Sequence, residues 1–341
     1  MGTIRILSID GGGIRGIIPA TILVAFEQML KERSGNENAR LADYIDLIAG
    51  TSTGGILVAL YMCPDQVTGT RPRYTGETAL QFYMENGPLI FKKSLWHSIK
   101  SLCGLTNAKY SNKTYLKVMD EVVGDTKLSE LLKPCLIPAY DIERRRAMFF
   151  NQMDPYKGHK GDFYIKDVVQ ATSAAPTYFE PAYILDSNGE GYSLIDGGVF
   201  ANNPTLCAYA EASKLCNDAD ITYSILSLGT GTSLHSYPYQ KAKRWGGAGW
   251  LGPLFSILLG GVAETVDYQV GIMGQSGKDV EEYLRIQAYL DEKNKSLSRI
   301  DNVSLCNMAN LHAIGNELVK KNYEALEKVA TSWVRGQGSI K

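Results

Sequence analysis

The chain has 341 residues, 45% of them hydrophobic and 21% charged, enough to bury a sizeable core, read here as one large domain rather than two modest ones. Lys and Arg total 35 against 36 Asp and Glu, which excludes a global field drawing in nucleic acid and leaves binding to anionic membrane to a local patch. Six cysteines (Cys63, Cys103, Cys135, Cys207, Cys216, Cys306) have no C-x-x-C spacing and read as reduced thiols, with no metal site expected.

The first element is a strand over residues 3–9. No basic region, apolar run and cleavage site precede it, so no secretory signal is expected. Asp10 ends the strand, and Gly11-Gly12-Gly13-Ile14-Arg15-Gly16 leads into a helix beginning near Pro19, a residue suited to a first helical turn. Ile22, Leu23, Phe26, Met29 and Leu30 recur at helical spacing until the polar stretch 31–38. A second strand over 44–49 runs into Gly50-Thr51-Ser52-Thr53-Gly54, followed by a helix over 56–61. Two successive strand, loop and helix units put both loops at strand ends, where parallel sheets keep their sites.

Residues 63–74 are turn-rich, 77–86 read as helix, and 91–109, with Trp96 and His97, as an irregular and mobile insertion. Asn112 is placed to cap a helix over 113–123 that Gly124 closes. Strands are expected at 135–141 and 147–151. A short helix over 164–171 runs into the small-residue cluster Thr172-Ser173-Ala174-Ala175-Pro176, which lets backbone approach closely. The strand 192–195 releases Asp196-Gly197-Gly198 and then Asn202-Asn203-Pro204 before a helix reaching about Leu215. Strand 221–228 ends in Gly229-Thr230-Gly231. Residues 234–252 have no clear period, and the tail holds a strand at 283–287 and helices at 308–321 and 323–334.

The stretch that carries chemistry is Gly50-Thr51-Ser52-Thr53-Gly54, a G-x-S-x-G between a strand and a helix. A serine hydroxyl is a weak nucleophile and must be held exposed, near a base and near donors for developing negative charge. Glycines at Gly50 and Gly54 let strand and helix nearly collide, and small Thr51 and Thr53 meet the same demand. Gly11, Gly12 and Gly13 can turn their amides toward one point and are the candidate oxyanion hole. Arg15 either orients that loop, faces a phosphate or is solvated. For the base, none of His97, His159, His235 and His312 stands in a glycine-rich strand-end turn, whereas Asp196 does. Burial would raise an aspartate from about 3.9 into a useful range, so a Ser-Asp dyad is workable. Asp196 capping its own turn is the other reading.

Asp10-Gly-Gly-Gly-Ile-Arg-Gly16, Gly50-Thr-Ser-Thr-Gly54, Ala171-Thr-Ser-Ala-Ala-Pro176 and Asp196-Gly-Gly198 with Asn202-Asn-Pro204 together resemble the patatin-like phospholipase family. The later segments Ser227-Leu-Gly-Thr-Gly231, Lys243-Arg-Trp-Gly246 and Tyr283-Leu-Arg-Ile-Gln287 extend the likeness to plant patatins over nearly the whole chain. The resemblance implies a three-layer α/β/α fold, a mainly parallel sheet sandwiched by helices. The core motifs then fall within residues 4–231, with an extension over 232–341. It also implies a lipid acyl hydrolase with Ser52 as nucleophile and Asp196, followed by Gly197 and Gly198, as base. The loop Gly11, Gly12, Gly13, Arg15 and Gly16 would be its oxyanion hole. No cofactor or metal is implied. The partner would be a phospholipid, lysophospholipid or galactolipid at a membrane or micelle surface.

Three other readings stay open. An α/β-hydrolase triad would use Ser52, Asp196 and either His235 or His312. A dinucleotide fingerprint would use Gly11, Gly13 and Gly16, but the second strand ends without the acidic residue such a site wants. A catalytically silent binding or storage protein on the same scaffold is the third. The run 252–262, with Trp245 and Trp250 before it, reads either as a core helix or as a membrane contact. The longest apolar run, residues 250–262, is too short and glycine-broken to span a bilayer, so the expectation is a soluble, cytoplasmic protein, peripheral at membranes.

Overall fold

A computed structural model describes residues 2–91, 108–154, 161–216, 220–233, 236–291 and 294–336. The insertion expected around Trp96 and His97 lies outside the described residues, as does Cys103. The other five cysteines are free thiols.

The sheet is built on β1 (Thr3–Ile9), whose alternate residues serve opposite faces. Ile4 and Ile6 enter one core cluster, and Leu7 and Ile9 enter the other. Burial on both faces is what a central parallel strand requires. Parallel to β1 on either side lie β2 (Leu47–Gly50) and β7 (Thr222–Leu228). Beyond β2 comes β3 (Cys135–Asp141), also parallel, with β4 (Arg146–Asn151) antiparallel along it. The strands β5 (Ala182–Leu185) and β6 (Gly191–Asp196) form an antiparallel pair, and β6 joins β3. On the far side β9 (Val280–Ile286) pairs with β7 in parallel. Two short strands, β8 (Thr232–Ser233) and β10 (Tyr289–Leu290), form a separate pair.

Helices cover both faces, giving the expected three-layer α/β/α arrangement. The helix Ile17–Ser34 packs with Gly76–Ile90, Leu305–Lys321 and Tyr323–Arg335 on one side. Thr205–Leu215 and Gly247–Ser276 lie together on the other. The stretch Gly13–Ser34 is long and apolar enough to cross a membrane, but 78% of its apolar window is buried within the protein.

Several elements differ from the sequence reading. Residues Leu41–Tyr44 form a helical turn ahead of β2, closed by the Asp43 carboxylate accepting from the Arg40 amide at 2.8 Å. Ser111, not Asn112, caps the helix Asn112–Val123, while the Asn112 side chain donates to Glu180 O. The largest difference is the 30-residue helix Gly247–Ser276, which takes in part of the stretch without a clear period.

Candidate active site

Only Thr51 and Ser52 separate β2 from the helix Thr53–Met62. Ser52 adopts φ 54° and ψ −117°, a conformation that L residues rarely occupy and that surrounding contacts must enforce. Those contacts are specific. The Ser52 amide donates to Thr172 Oγ1 at 3.0 Å, and the Thr172 hydroxyl donates to Pro138 O at 2.6 Å. The Thr51 hydroxyl donates to Ala201 O at 2.6 Å, and Thr53 Oγ1 lies 2.7 Å from the Tyr83 hydroxyl. A Cβ on Gly50 would come within 2.2 Å of Gly54 O, and one on Gly54 within 2.2 Å of Ile9 O. Both neighbours are backbone and cannot yield, so the turn closes only with glycine there.

Asp196 is brought to this turn by strand geometry. Along β3, β4 occupies one edge from Leu136 to Asp141, leaving the other to β2 at Cys135 and Leu136 and to β6 from Ala139 onward. Because β2 runs with β3 and β6 against it, their C-terminal ends approach each other. Ser52 leaves one end and Asp196 closes the other. The Asp196 carboxyl is 4% exposed, and burial pushes it up to about 7. The Gly198 amide, donating to it at 2.7 Å, and the neighbouring Ser52 hydroxyl pull the other way.

The glycine loop lies beside them, with a Cβ position on Gly11 falling 3.3 Å from Ser52 Cβ. The Gly11 amide donates to Asn202 O at 3.0 Å and the Ile14 amide to Ile300 O at 2.9 Å. Gly12 and Gly13 line the same cavity as Ser52 and Asp196. Gly13 has φ +60°, and a Cβ there would fall 2.2 Å from Ile300 O. Gly16 is a close-approach position, its Cβ site lying 2.3 Å from Thr53 Oγ1. Arg15 is buried, not solvated. It donates to Gly12 O at 3.3 Å and Gly231 O at 2.9 Å, and burial lowers it to about 10. Behind the loop, Asp10 and Arg285 form a buried ion pair at 2.5 Å.

Residues 7–209 match the model of the family described as patatin-like phospholipase. The chain belongs to that family. It is 36% identical over 352 residues to patatin-like protein 2 of Oryza sativa subsp. indica, covering 95% of this chain and 85% of the rice protein. It is 34% identical over 336 residues to a Solanum tuberosum protein named probable inactive patatin-3-Kuras 1, covering 94% and 87%. Patatin-like protein 1 of Arabidopsis thaliana is 34% identical over 343 residues, covering 93% and 81%.

In this patatin-like chain Ser52 and Asp196 open into a cavity of about 50 Å³ walled by Ile56, Phe82, Ile90, Tyr115 and Phe179. An apolar slot of that kind suits a hydrocarbon chain. A larger and more polar cleft of about 800 Å³ adjoins it, sharing Asn202, Leu259 and Ile300. His312 is on the helix Leu305–Lys321 and does not line the cavity, while His97, His159 and His235 lie outside the described residues. Among the described residues no group of three or more His, Cys, Asp or Glu could hold a metal ion. Residue reading missed the parts played by Thr172, Asn202 and Arg285. The small-residue cluster and the Asn-Asn-Pro motif signalled the first two, but the Ser52 turn and the glycine loop that they hold are distant in sequence, Ser52 standing 120 positions from Thr172.

Proposed function

We propose that this patatin-like protein is a lipid acyl hydrolase working through Ser52 and Asp196. The observation that carries the reading is a serine in a strained strand-to-helix turn, lining the same cavity as a carboxyl that burial pushes up to about 7. A carboxylate so tuned can take a proton at neutral pH. Ser52 Oγ attacks the ester carbonyl carbon as its proton passes to Asp196, and the Gly12 and Gly13 amides receive the negative oxygen. As the carbon–oxygen bond to the leaving alcohol breaks, Asp196 returns the proton to it, leaving an acyl-enzyme. Asp196 then deprotonates a water that attacks the acyl carbon, and as the bond from that carbon to Ser52 Oγ breaks, Asp196 returns the proton to Oγ and the fatty acid leaves. The apolar slot favours a fatty-acyl ester, with phospholipid, lysophospholipid or galactolipid as the substrate classes.

The test is labelling with a fluorophosphonate followed by peptide mapping. An adduct on Ser52, absent from Ser52→Ala and strongly reduced in Asp196→Asn, supports the reading. A folded protein with no adduct would instead be a silent binding protein on this scaffold.

A further inference from the structure

The helix Gly247–Ser276 has two chemically different sides. Inward, Ala263 and Val270 are buried and Leu259 lines both cavities of the site. Outward, Trp250, Leu254, Ile257 and Leu258 are 40–45% exposed, and past the exposed Glu264 Tyr268 and Ile272 are exposed as well. Positions 250, 254, 257 and 258 follow the i, i+4, i+7, i+8 spacing of one helical stripe. An exposed apolar stripe running from Trp250 to Leu258 is the kind of feature that marks an interaction surface.

Two observations identify what it meets. The first is continuity: Leu258 faces solvent while its neighbour Leu259 forms the cavity wall, so whatever covers the stripe sits at the mouth of the cavity that holds Ser52. The second is charge. Residues 236–263 contain Lys241, Lys243 and Arg244 and no acidic residue, in a chain whose net charge is −1. All three cations are exposed, and none forms an ion pair among the described residues. Between cations and stripe stand Trp245 and Trp250, packed edge-to-face at 5.1 Å. Cations, tryptophans and exposed aliphatics in succession match the requirements of an anionic lipid interface: headgroup attraction, interfacial anchoring and shallow insertion.

We infer that residues 239–258 dock the protein on anionic lipid surfaces, with Trp250, Leu254 and Leu258 inserted and Lys241, Lys243 and Arg244 at the headgroups. The inference rests on the hydrolase reading only for its purpose, which is to bring the cavity mouth to its substrate. The test compares sedimentation with phosphatidylcholine vesicles and with vesicles also containing phosphatidylglycerol. K241Q/K243Q/R244Q should weaken binding to the anionic vesicles by about 100-fold, the order expected for three cations near a charged membrane. L254S/L258S should weaken binding to both kinds by about 10-fold or more through lost apolar insertion. Both should hydrolyse a water-soluble short-chain ester at the parent rate. Equal vesicle binding by parent and variants overturns the docking surface. If L254S/L258S fails to fold, the charge variant, altered only at exposed side chains, decides alone. A parent that binds vesicles but cleaves no ester refutes the hydrolase reading and leaves the surface standing.

Discussion

The Ser52 hydroxyl meets the Asp196 carboxyl because β2 and β6 share one edge of β3 and approach it from opposite directions. Neither side chain needs a long loop to reach the other, and few bonds separate each from a sheet backbone. Rigid support of that kind holds reacting groups in place.

The rate of short-chain ester hydrolysis should therefore rise with pH through about 7, because Asp196 must lose its proton to act as base and burial has raised that step to about 7. Measuring kcat/KM across pH tests this. A profile flat down to pH 5 would mean that Asp196 ionises like an ordinary carboxylate or is not the base. Asp196→Asn should lower the rate by about 100-fold or more.

Stability carries the same signature with opposite consequence. A carboxyl at about 7 in the folded protein and near 3.9 unfolded favours folding fully only below the lower value. That contribution is lost as pH rises through the folded value, costing up to about 4 kcal/mol at pH 8. Asp196→Asn should therefore match the parent in thermal unfolding near pH 4 and exceed it at pH 8. Identical melting temperatures at pH 8 would contradict the raised value.

Thr172→Val keeps shape but removes the oxygen that accepts from the Ser52 amide and donates to Pro138 O. A buried donor left unpaired costs about 1–3 kcal/mol, which chemical denaturation would register. Because the lost bond holds the strained turn, kcat should fall by about 10-fold or more with KM nearly unchanged. A fall in stability alone would make Thr172 a purely structural residue.

Arg285→Met leaves the Asp10 carboxylate buried without its partner, at a cost of about 3–5 kcal/mol. Burial already raises Asp10, and losing the guanidinium raises it further, so the folded variant keeps that proton to higher pH. The deficit against the parent should shrink as pH falls and widen as it rises. Urea unfolding at several pH values would show it.

His235→Ala and His312→Ala should each retain activity within about twofold, since the proton transfer proposed here uses no imidazole. A loss of several orders of magnitude in either would establish a triad instead.

Much of this arrangement was legible from residues alone where local chemistry leaves few options. A strand entering G-x-S-x-G and a helix leaving it can close only around glycine, and the distances at Gly50 and Gly54 show why. The strand before Asp196-Gly-Gly was legible in the same way. Relationships between distant segments were not. Arg15 reads equally as a surface cation until Gly231 O is placed against it. The short edge strand β5 follows Pro181 and buries only Ala182 and Ile184, too weak a period to read. The helix Gly247–Ser276 hides behind its glycines and Pro253, which lower local helical preference. Tertiary contact with Thr205–Leu215 and β9 restores it.

The ion pair between Asp10 and Arg285 bears on where the chain can be cut. The stretch matching the family model stops at residue 209, yet β7 and β9 and the guanidinium that neutralises Asp10 all come afterwards. A fragment ending there would keep Ser52 and Asp196 while exposing one whole side of β1 and stranding a carboxylate under the glycine loop. The last third of the polypeptide is thus the counterweight that lets the first two thirds hold their shape, and expression of the shorter piece should yield aggregate.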